Sequence, residues 1–584
     1  MNILKSIYSI GKILYKKDKS SVLIVTIGSF LTMLFSVLQL YIVKYIVDSL
    51  QNQTIDISLQ FFLLLGGILY LQIIIGTPTA LAMSRISEIG LYEEERMILE
   101  KTASLSLAAI ESPEIKTMRE TASHVSFDNT FVRGISYING IIQLFILIYI
   151  VTFRGHWLLA IIAFLSFFVQ MQAHRKAALG MEQVFQMQSP FRKYATYIVE
   201  LLTNRESVLE IRIFGISSFL KNKWENILRK NRKELLKVSI KGELIKLTPD
   251  LIVAILSGLS AAILVILLAL TGESAGQFAL LFQMTALLFT KMPELAQLHA
   301  FMQSNVSRYN GFLKFIELEN EDKYACSSTV ANTNVEDTKP ALSIETNNLC
   351  FKYPDNSQYT LDNISLHIKA GEKLAIVGEN GSGKTTLVKL LLGLYQATSG
   401  EVKWMKNGRN ISRNEMLKGI RLVFQDYAKL HRTVRENIAI GNIDQINDDK
   451  EIDIALIKAK GEDFKVKKDI QIGPEFDGME LSGGQWQKIA TSRAYLKEGD
   501  CLVFDEPTAA LDAKTELEVF TSFLDLVENQ TAIFITHRLA AARLVDTILV
   551  MKDGYLIEKG SHQDLVKLNG EYARLYKLQS SWYK

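Results

Sequence analysis

The stretch GENGSGKTT, residues 378–386, decides how most of this 584-residue chain is interpreted. It follows the apolar run LAIV at 374–377 and precedes TTLVKLLLGLY, which has the pattern of a helix. A strand, a glycine-rich loop and a helix are therefore expected in that order. Glycines let backbone N–H groups point at phosphate oxygens, and the N-terminus of a helix favours anions. The stretch thus predicts a loop that binds a polyphosphate.

The loop predicts ATP and Mg²⁺ as cofactors. Lys384 is expected to neutralise the β- and γ-phosphates, and the Thr385 hydroxyl is expected to ligate Mg²⁺. The nucleotide contacts predicted here are Gly378, Glu379, Asn380, Gly381, Ser382, Gly383, Lys384, Thr385 and Thr386.

A second motif, CLVFDEP at 501–507, has an apolar strand pattern that ends in two adjacent acids. Asp505 is placed to hold Mg²⁺. Glu506 points to the opposite side of an extended chain, where it can activate the attacking water as a general base. The motif therefore predicts hydrolysis of the bound nucleotide.

A third motif, LSGGQ at 481–485, opens the helix-like run GGQWQKIATSRAYL. It forms another N-terminus that can receive an anion. Since the chain already has one phosphate loop, this second terminus suggests a γ-phosphate reached from the opposite side by another subunit. The predicted nucleotide contacts of this motif are Ser482, Gly483, Gly484 and Gln485.

Composition sets limits on the function. The chain is 48% hydrophobic with a formal net charge of only +3, so no general attraction to nucleic acid is implied. The three cysteines, Cys326, Cys350 and Cys501, have neither zinc spacing nor the density of a disulfide scaffold, which indicates reduced thiols.

The N-terminal half carries long uncharged stretches, and a helix needs about 20 apolar residues to cross a bilayer. Six spans are the simplest count. The sixth is the weakest because Lys291 and Glu294 interrupt it. The stretches are 21–43, 57–84, 134–153, 157–173, 251–272 and one that begins near 276.

Basic residues predict the orientation of these spans. Five lysines precede the first span, and the long segments 85–133 and 174–250 carry most of the other positive charge of this half. Both termini and both segments are therefore expected in the cytosol, in a multi-pass protein of the cytoplasmic membrane. Each segment has the pattern of a helical arm that turns back, near 111–114 and near 203–205. The N-terminal residues predict a helix along the membrane surface.

The sequence predicts three regions. Residues 1–316 form an α-helical transmembrane domain with long cytosolic arms, and residues 317–341 form a polar linker. Residues 342–584 form an α/β nucleotide-binding domain, in which Asp553-Gly554 marks a hairpin turn.

Together these motifs resemble an ABC transporter of the exporter type, with membrane and ATPase halves fused in one chain. The resemblance covers essentially the whole sequence. It implies that Tyr353 stacks on adenine, that Gln425 links the γ-phosphate and Mg²⁺ to the membrane domain, and that His537 contacts the γ-phosphate. Residues 509–512 resemble the segment that contacts the partner subunit. Tyr353 could instead be a core aromatic, and Gln425 or His537 could be a polar residue whose hydrogen bonds are satisfied within the fold.

The resemblance further implies ATP-driven export by alternating access of a dimer, with the turns of the arms, near 112–116 and 204–208, docked on the ATPase domains. No ATPase motif is degenerate, which favours a homodimer, although pairing with another chain stays open. The stretch EFDGMELSGGQWQKIA, with Trp486, resembles exporters of lantibiotics, so a peptide or other amphiphile is the predicted substrate. A multidrug or lipid exporter, or a sensor without net transport, remains an alternative. Polar residues within spans are candidate cavity residues: Gln39, Tyr41, Gln72, Asn139, Gln143, Gln283 and Thr285.

Overall fold

The structure is a computed structural model. It describes residues 3–154, 157–272, 274–321, 341–354, 356–505, 520–521, 524, 527, 530–537 and 539–581.

The N-terminal part is built from helices. They are α1 Ile3–Lys17, α2 Lys19–Gln51, α3 Ile55–Ala103, α4 Leu107–Glu111, α5 Pro113–Ala122, α6 Phe127–Arg154, α7 Trp157–Met187, α8 Ser189–Thr203, α9 Arg205–Ile213, α10 Ser217–Thr271 and α11 Ala275–Ile316. Asp18 and Ser274 cap α2 and α11 by accepting backbone N–H groups of the first turn. At 1.5 Å per residue, α3 and α10 are each more than about 70 Å long, so both extend far beyond a bilayer.

The two predicted turns of the arms are confirmed. The first lies at Ser112, between the end of α4 and Pro113 at the start of α5. Pro113 suits a first helical position, where its missing N–H would have no partner. The second lies at Asn204, between α8 and α9.

Among the described residues, five helices are long and apolar enough to cross a membrane: Lys19–Gln51, Ile55–Ala103, Phe127–Phe153, Trp157–Met181 and Ser217–Ile266. The sixth predicted span falls in α11, whose apolar face is interrupted by Lys291 and Glu294. These two side chains form an ion pair with an Nζ–Oε2 distance of 2.7 Å. A sixth span therefore stays a prediction.

The core of the helical part forms around α11. Its side chains at 280, 284, 288, 292 and 295 are all buried, which is one continuous helix face. They pack against apolar side chains of α6, α7 and α10.

The C-terminal part has two sheets. The strands are β1 Leu342–Phe351, β2 Leu361–Ile368, β3 Lys373–Gly378, β4 Ser399–Lys406, β5 Arg409–Asn410, β6 Ile420–Val423, β7 Cys501–Asp505, β8 Thr531–Ile535, β9 Thr547–Lys552 and β10 Tyr555–Gly560. The larger sheet has the order β10-β9-β3-β8-β7-β6 and is parallel apart from β10. The smaller, β2-β1-β4-β5, is antiparallel.

Helices lie around these sheets. They are α12 Lys384–Leu391, α13 Arg413–Lys418, α14 Val434–Ala439, α15 Asp449–Lys458 and α16 Gly483–Leu496, followed by Leu539–Ala542, His562–Leu568 and Glu571–Ser581. We call Glu571–Ser581 the final helix. The predicted hairpin at Asp553-Gly554 is confirmed, because both residues have positive φ between antiparallel β9 and β10.

The chain divides into two compact units, one of Met1–Ala103 with Pro113–Leu318 and one of Ser104–Ser112 with Glu319–Lys584. The segment Ser104–Ser112, which lies in sequence between two helices of the first unit, thus belongs to the second. The resemblance suggested 112–116 as the docked turn; of these residues only Ser112 belongs to the second unit, and the docking itself stays a prediction. The domain boundaries at 316 and 341 stay a prediction, since most of the linker lies outside the described residues.

Candidate nucleotide site

The phosphate loop lies at the carboxyl end of β3, an interior strand of the parallel sheet between β9 and β8. Ligands of open α/β sheets bind outside the carboxyl ends of the strands. The loop then runs directly into α12, as the sequence predicts, so the N-terminus of α12 faces the same edge.

Two glycines of the loop are required by its backbone. Gly383, the N-cap of α12, has a φ of +97°, which L side chains rarely adopt. A Cβ on Gly378 would lie 2.3 Å from the carbonyl oxygen of Met551 in β9. Larger residues at these positions would displace the loop from the sheet.

The side chain of Lys384 is buried within the loop. Its Nζ donates to the carbonyl oxygens of Gly378 and Glu379, both at 3.0 Å. Ser382 is also buried, and its Oγ has no hydrogen-bond partner among the described residues. A buried hydroxyl without a partner is unfavourable, so this atom is suited to a ligand oxygen.

A cavity of about 890 Å³ opens above the loop. It brings together most of the predicted nucleotide residues, including Gln425 and His537, which are far from the loop in sequence. Its lining is Thr360, Gly378, Glu379, Asn380, Gly381, Gly383, Lys384, Thr385, Thr386, Gln425, His537, Leu539, Leu575 and Gln579.

Two acids were predicted at the end of β7. Asp505 is the last residue of that buried strand and is only 2% exposed. Glu506 and residues 509–512 lie outside the described residues, so the general base stays a prediction.

Tyr353 lies beside α12, outside the residues that line the cavity. Its hydroxyl is 3.1 Å from Thr386 Oγ1, and its ring contacts those of Phe351 and Tyr395 edge-on. In this conformation Tyr353 serves packing, and its predicted stacking on adenine stays a prediction.

The LSGGQ motif is not part of the cavity that the described residues form around this chain's own loop. Ser482 is the N-cap of α16 and shares a capping box with Gln485, through N–O distances of 2.9 and 3.3 Å. A Cβ on Gly483 or Gly484 would meet no atom within 4 Å. The start of α16 is therefore open to solvent, as a surface for another chain would be.

Four residues of the lining were not predicted: Thr360, Leu539, Leu575 and Gln579. Thr360 precedes β2. Leu539 begins the helix Leu539–Ala542, and Leu575 and Gln579 belong to the final helix. No local motif marks them, because only the folded chain brings the final helix to the loop.

In the described residues, a glycine-rich phosphate loop on a parallel sheet and five helices that could span a membrane together define a membrane protein with a nucleotide-binding domain. Residues 361–509 match the family model described as ABC transporter. The nisin transport ATP-binding protein NisT of Lactococcus lactis subsp. lactis is 30% identical over 511 residues, which cover 83% of this chain and 81% of that protein. The chain belongs to the ABC transporter family, in its exporter group, and its ATPase activity is coupled to transport.

Two further proteins are similar over nearly the whole chain. The subtilin transport ATP-binding protein SpaT of Bacillus subtilis is 29% identical over 605 residues, covering 98% of this chain and 94% of SpaT. The structure of a bacterial Atm1-family ABC exporter with ATP bound has a TM-score of 0.81 at 22% identity, and covers 97% of this chain and 99% of that one. The latter likeness shows the fold.

Proposed function

We propose that this protein exports a peptide of the lantibiotic kind, or another amphiphile of similar character, across the cytoplasmic membrane as a homodimer driven by ATP. The observation that carries the proposal is the cavity around Lys384, Gln425 and His537 in a chain that matches SpaT over 98% of its length. The names of SpaT and NisT give subtilin and nisin as what they transport.

The residues present fit ATP with Mg²⁺. The loop offers a buried ammonium group, a buried hydroxyl with no partner among the described residues and a glycine where a Cβ would clash. When bound, Mg²⁺ would neutralise phosphate charge, and Thr385, Gln425 and Asp505 would hold it. Lys384 would bind the β- and γ-phosphates, Glu506 would take a proton from the attacking water, and His537 would contact the γ-phosphate.

The position of Trp486 in the fold does not support the assignment of a peptide substrate. This residue is 7% exposed and packs in a core formed with Ile438, Phe464 and Ile489, so it cannot touch a transported molecule. Support for a peptide substrate therefore comes from the relatives.

Several candidate cavity residues in the spans join helices instead. Gln39 donates to Gln72 at 2.9 Å, which links α2 to α3, and Gln143 donates to Ser36 Oγ at 3.0 Å, which links α6 to α2. Asn139 differs, since its Nδ2 is buried with no partner among the described residues. We infer that Asn139 is the strongest candidate for substrate contact among them.

Transport into inside-out membrane vesicles tests the function. We expect ATP-dependent uptake of a fluorescent lanthionine-containing peptide, at a rate at least about tenfold above that of a Glu506→Gln variant, since loss of a general base costs about 10²–10⁴ in rate. Uptake of a fluorescent lipid or drug but not of the peptide would show that the substrate is a lipid or drug and not a peptide. Robust ATP hydrolysis without uptake of any of these would favour a sensor.

We infer that the N-terminus faces the cytosol. On α1 the side chains of Ile7, Ile10 and Leu14 are buried against neighbouring helices, whereas Lys5, Lys12 and Lys16 are exposed. Exposed lysines next to a first span favour the cytosolic side.

The partner we propose is a second copy of this chain, and one support is an exposed face of α10. Lys230, Lys233, Lys237 and Lys241 are all exposed at helical spacing, and no acid lies within ion-pair distance of them among the described residues. Apolar side chains alternate with them and are at least half exposed: Leu236, Ile240, Leu244 and Leu247. The exposed apolar side chains are suited to a protein partner, and the lysines beside them can pair with acids of that partner.

The complementary face lies on α3. Glu88, Tyr92, Glu95 and Leu99 recur every three or four residues and are all exposed, and neither acid has an ion-pair partner among the described residues. Arg85 and Asp250 are the charged residues next to the apolar stretches of α3 and α10. Glu95 lies about 15 Å along α3 from Arg85, and Lys241 lies about 14 Å along α10 from Asp250. The two faces would meet at matching depth below the membrane if one came from each copy.

Charge reversal tests this pairing. Glu88→Lys with Glu95→Lys places like charges opposite the α10 lysines, so we expect the dimer dissociation constant in detergent to rise about tenfold or more. Adding Lys237→Glu and Lys241→Glu to the same chain is expected to restore it. The control is Lys221→Glu, which changes a lysine on the opposite side of α10. Failure of the quadruple variant to recover dimers, by light scattering, would show that these two faces do not pair, whereas a parent that forms no dimers would point to a different chain as the partner.

A further inference from the structure

The final helix forms one wall of the nucleotide cavity, through Leu575 and Gln579. It is firmly held. The Glu558 carboxylate of β10 accepts the backbone N–H groups of Glu571 and Tyr572 at its N-terminus. Tyr572 is completely buried in the core that also holds Val377 of β3 and Phe534 of β8. The helix is therefore fixed to β3, which leads into the phosphate loop, and to β8, which leads to His537.

Gln579 is bonded at both ends of its amide group. Its Oε1 accepts the backbone N–H of Leu539 at 2.9 Å, and its Nε2 donates to the backbone carbonyl of His537. One planar amide thus holds the backbone on both sides of residue 538. The Leu539 N–H opens a short helix and would otherwise have no partner within that helix.

The same helix also reaches the phosphate loop. Arg574 forms an ion pair with Glu379, at 2.6 Å between Nη2 and Oε1, and two hydrogen bonds with Glu571. Glu379 is the second residue of the loop motif. The final helix therefore contacts both elements that are predicted to surround the γ-phosphate.

We propose that Gln579 is a positioning residue for ATP hydrolysis, which acts by holding the backbone that carries His537. The inference rests on the proposed role of His537. A group that is fixed before reaction contributes most when charge moves in the transition state, and a small displacement of such a group is costly. Both polar ends of the Gln579 amide bond to backbone groups, so the side chain is assigned a positioning role rather than a contact with the nucleotide.

Steady-state ATP hydrolysis by the full-length protein in lipid nanodiscs tests this. Gln579→Met keeps the length and apolar stem of the side chain but removes both hydrogen bonds. We expect kcat to fall about tenfold and the KM for ATP to stay within about twofold, because the interaction is needed in the transition state rather than for binding. Gln579→Ala is expected to do the same. The matched control is Gln563→Met, since Gln563 is exposed on the preceding helix.

Binding and folding are measured on the same samples. ATP affinity and the thermal unfolding midpoint are expected to match the parent, whereas vanadate-dependent trapping of nucleotide should fall with kcat. An unchanged kcat would overturn the proposal, and so would a rise in KM alone or a loss of kcat that only follows a lower unfolding midpoint. A Lys384→Met sample separates failure of the Gln579 proposal from failure of the proposed function. If the parent hydrolyses ATP no faster than Lys384→Met, both the proposed function and the Gln579 proposal are overturned.

Discussion

Replacing Lys384 by methionine is expected to lower kcat for ATP hydrolysis by about a hundredfold to a thousandfold, the cost of removing a preorganised group that stabilises developing charge. Among the described residues that line the cavity, Lys384 is the only lysine or arginine. Its ammonium group is already directed into the loop by the carbonyls of Gly378 and Glu379. Methionine keeps the apolar stem and removes only the charge. The measurement is phosphate release by purified protein.

The control for this variant is Lys567→Met, which removes an exposed lysine of the same domain. It should keep the parental rate. A Lys384→Met protein that retains more than about a tenth of the parental kcat would contradict the assigned role, since the predicted loss is at least tenfold larger.

The second large effect is expected where Ser104–Ser112 packs within the ATPase unit. Leu107 and Ala108 of α4 pack against the core that includes Ile344, and the Tyr395 hydroxyl donates to the Glu111 carboxylate. Burial, with the nearby Glu111 carboxylate, raises the pKa of Tyr395, so the phenol stays neutral and can donate at physiological pH. This segment is joined directly to α3 and α5, and we propose that it transmits nucleotide-driven movement.

Leu107→Asp combined with Glu111→Ala should therefore separate hydrolysis from transport. Leu107 is partly buried in this contact, and an aspartate there would place a charge against the apolar core. We expect vesicle uptake to fall about tenfold or more while ATP hydrolysis stays within about twofold, because the two sites then lose their energetic coupling. Both rates are measured on the same vesicles.

The control pair, Glu114→Ala with Lys116→Ala, alters the segment that the family resemblance had suggested. Both side chains are exposed on α5, in the first unit. We expect parental uptake from this pair. Loss of uptake there, with normal uptake in the α4 variant, would place the coupling at 112–116 instead.

Local chemistry explains what could be predicted from the sequence. The phosphate loop needs glycines at particular positions of one short stretch, and Gly378 and Gly383 are indeed required by a close approach and by a positive φ. The turns of the arms were predictable for the same reason, because Pro113 and Asn204 break helices where they stand. In each case the residues that form the sequence pattern are the same few residues that form the loop or turn.

Contacts between distant parts of the chain were not predictable. Gln579 reaches His537 only because the final helix folds back across the sheet, and no spacing in the sequence reports this. The contacts of Tyr353 were likewise not visible in the sequence: its hydroxyl lies 3.1 Å from Thr386 Oγ1 and its ring packs with Phe351, while its stacking on adenine stays a prediction. The residue type at position 353 suggested a role in binding adenine, whereas the neighbouring side chains determine the conformation of the ring.

The separation of the LSGGQ motif from this chain's own phosphate loop has a genetic consequence. In the proposed dimer each complete site takes its loop from one gene product and its α16 terminus from the other. Two defective alleles, one damaged only near Lys384 and the other only near Ser482, would then produce mixed dimers. Half of the composite sites in such a mixed dimer would be assembled from two sound portions, so two individually inactive alleles would complement each other.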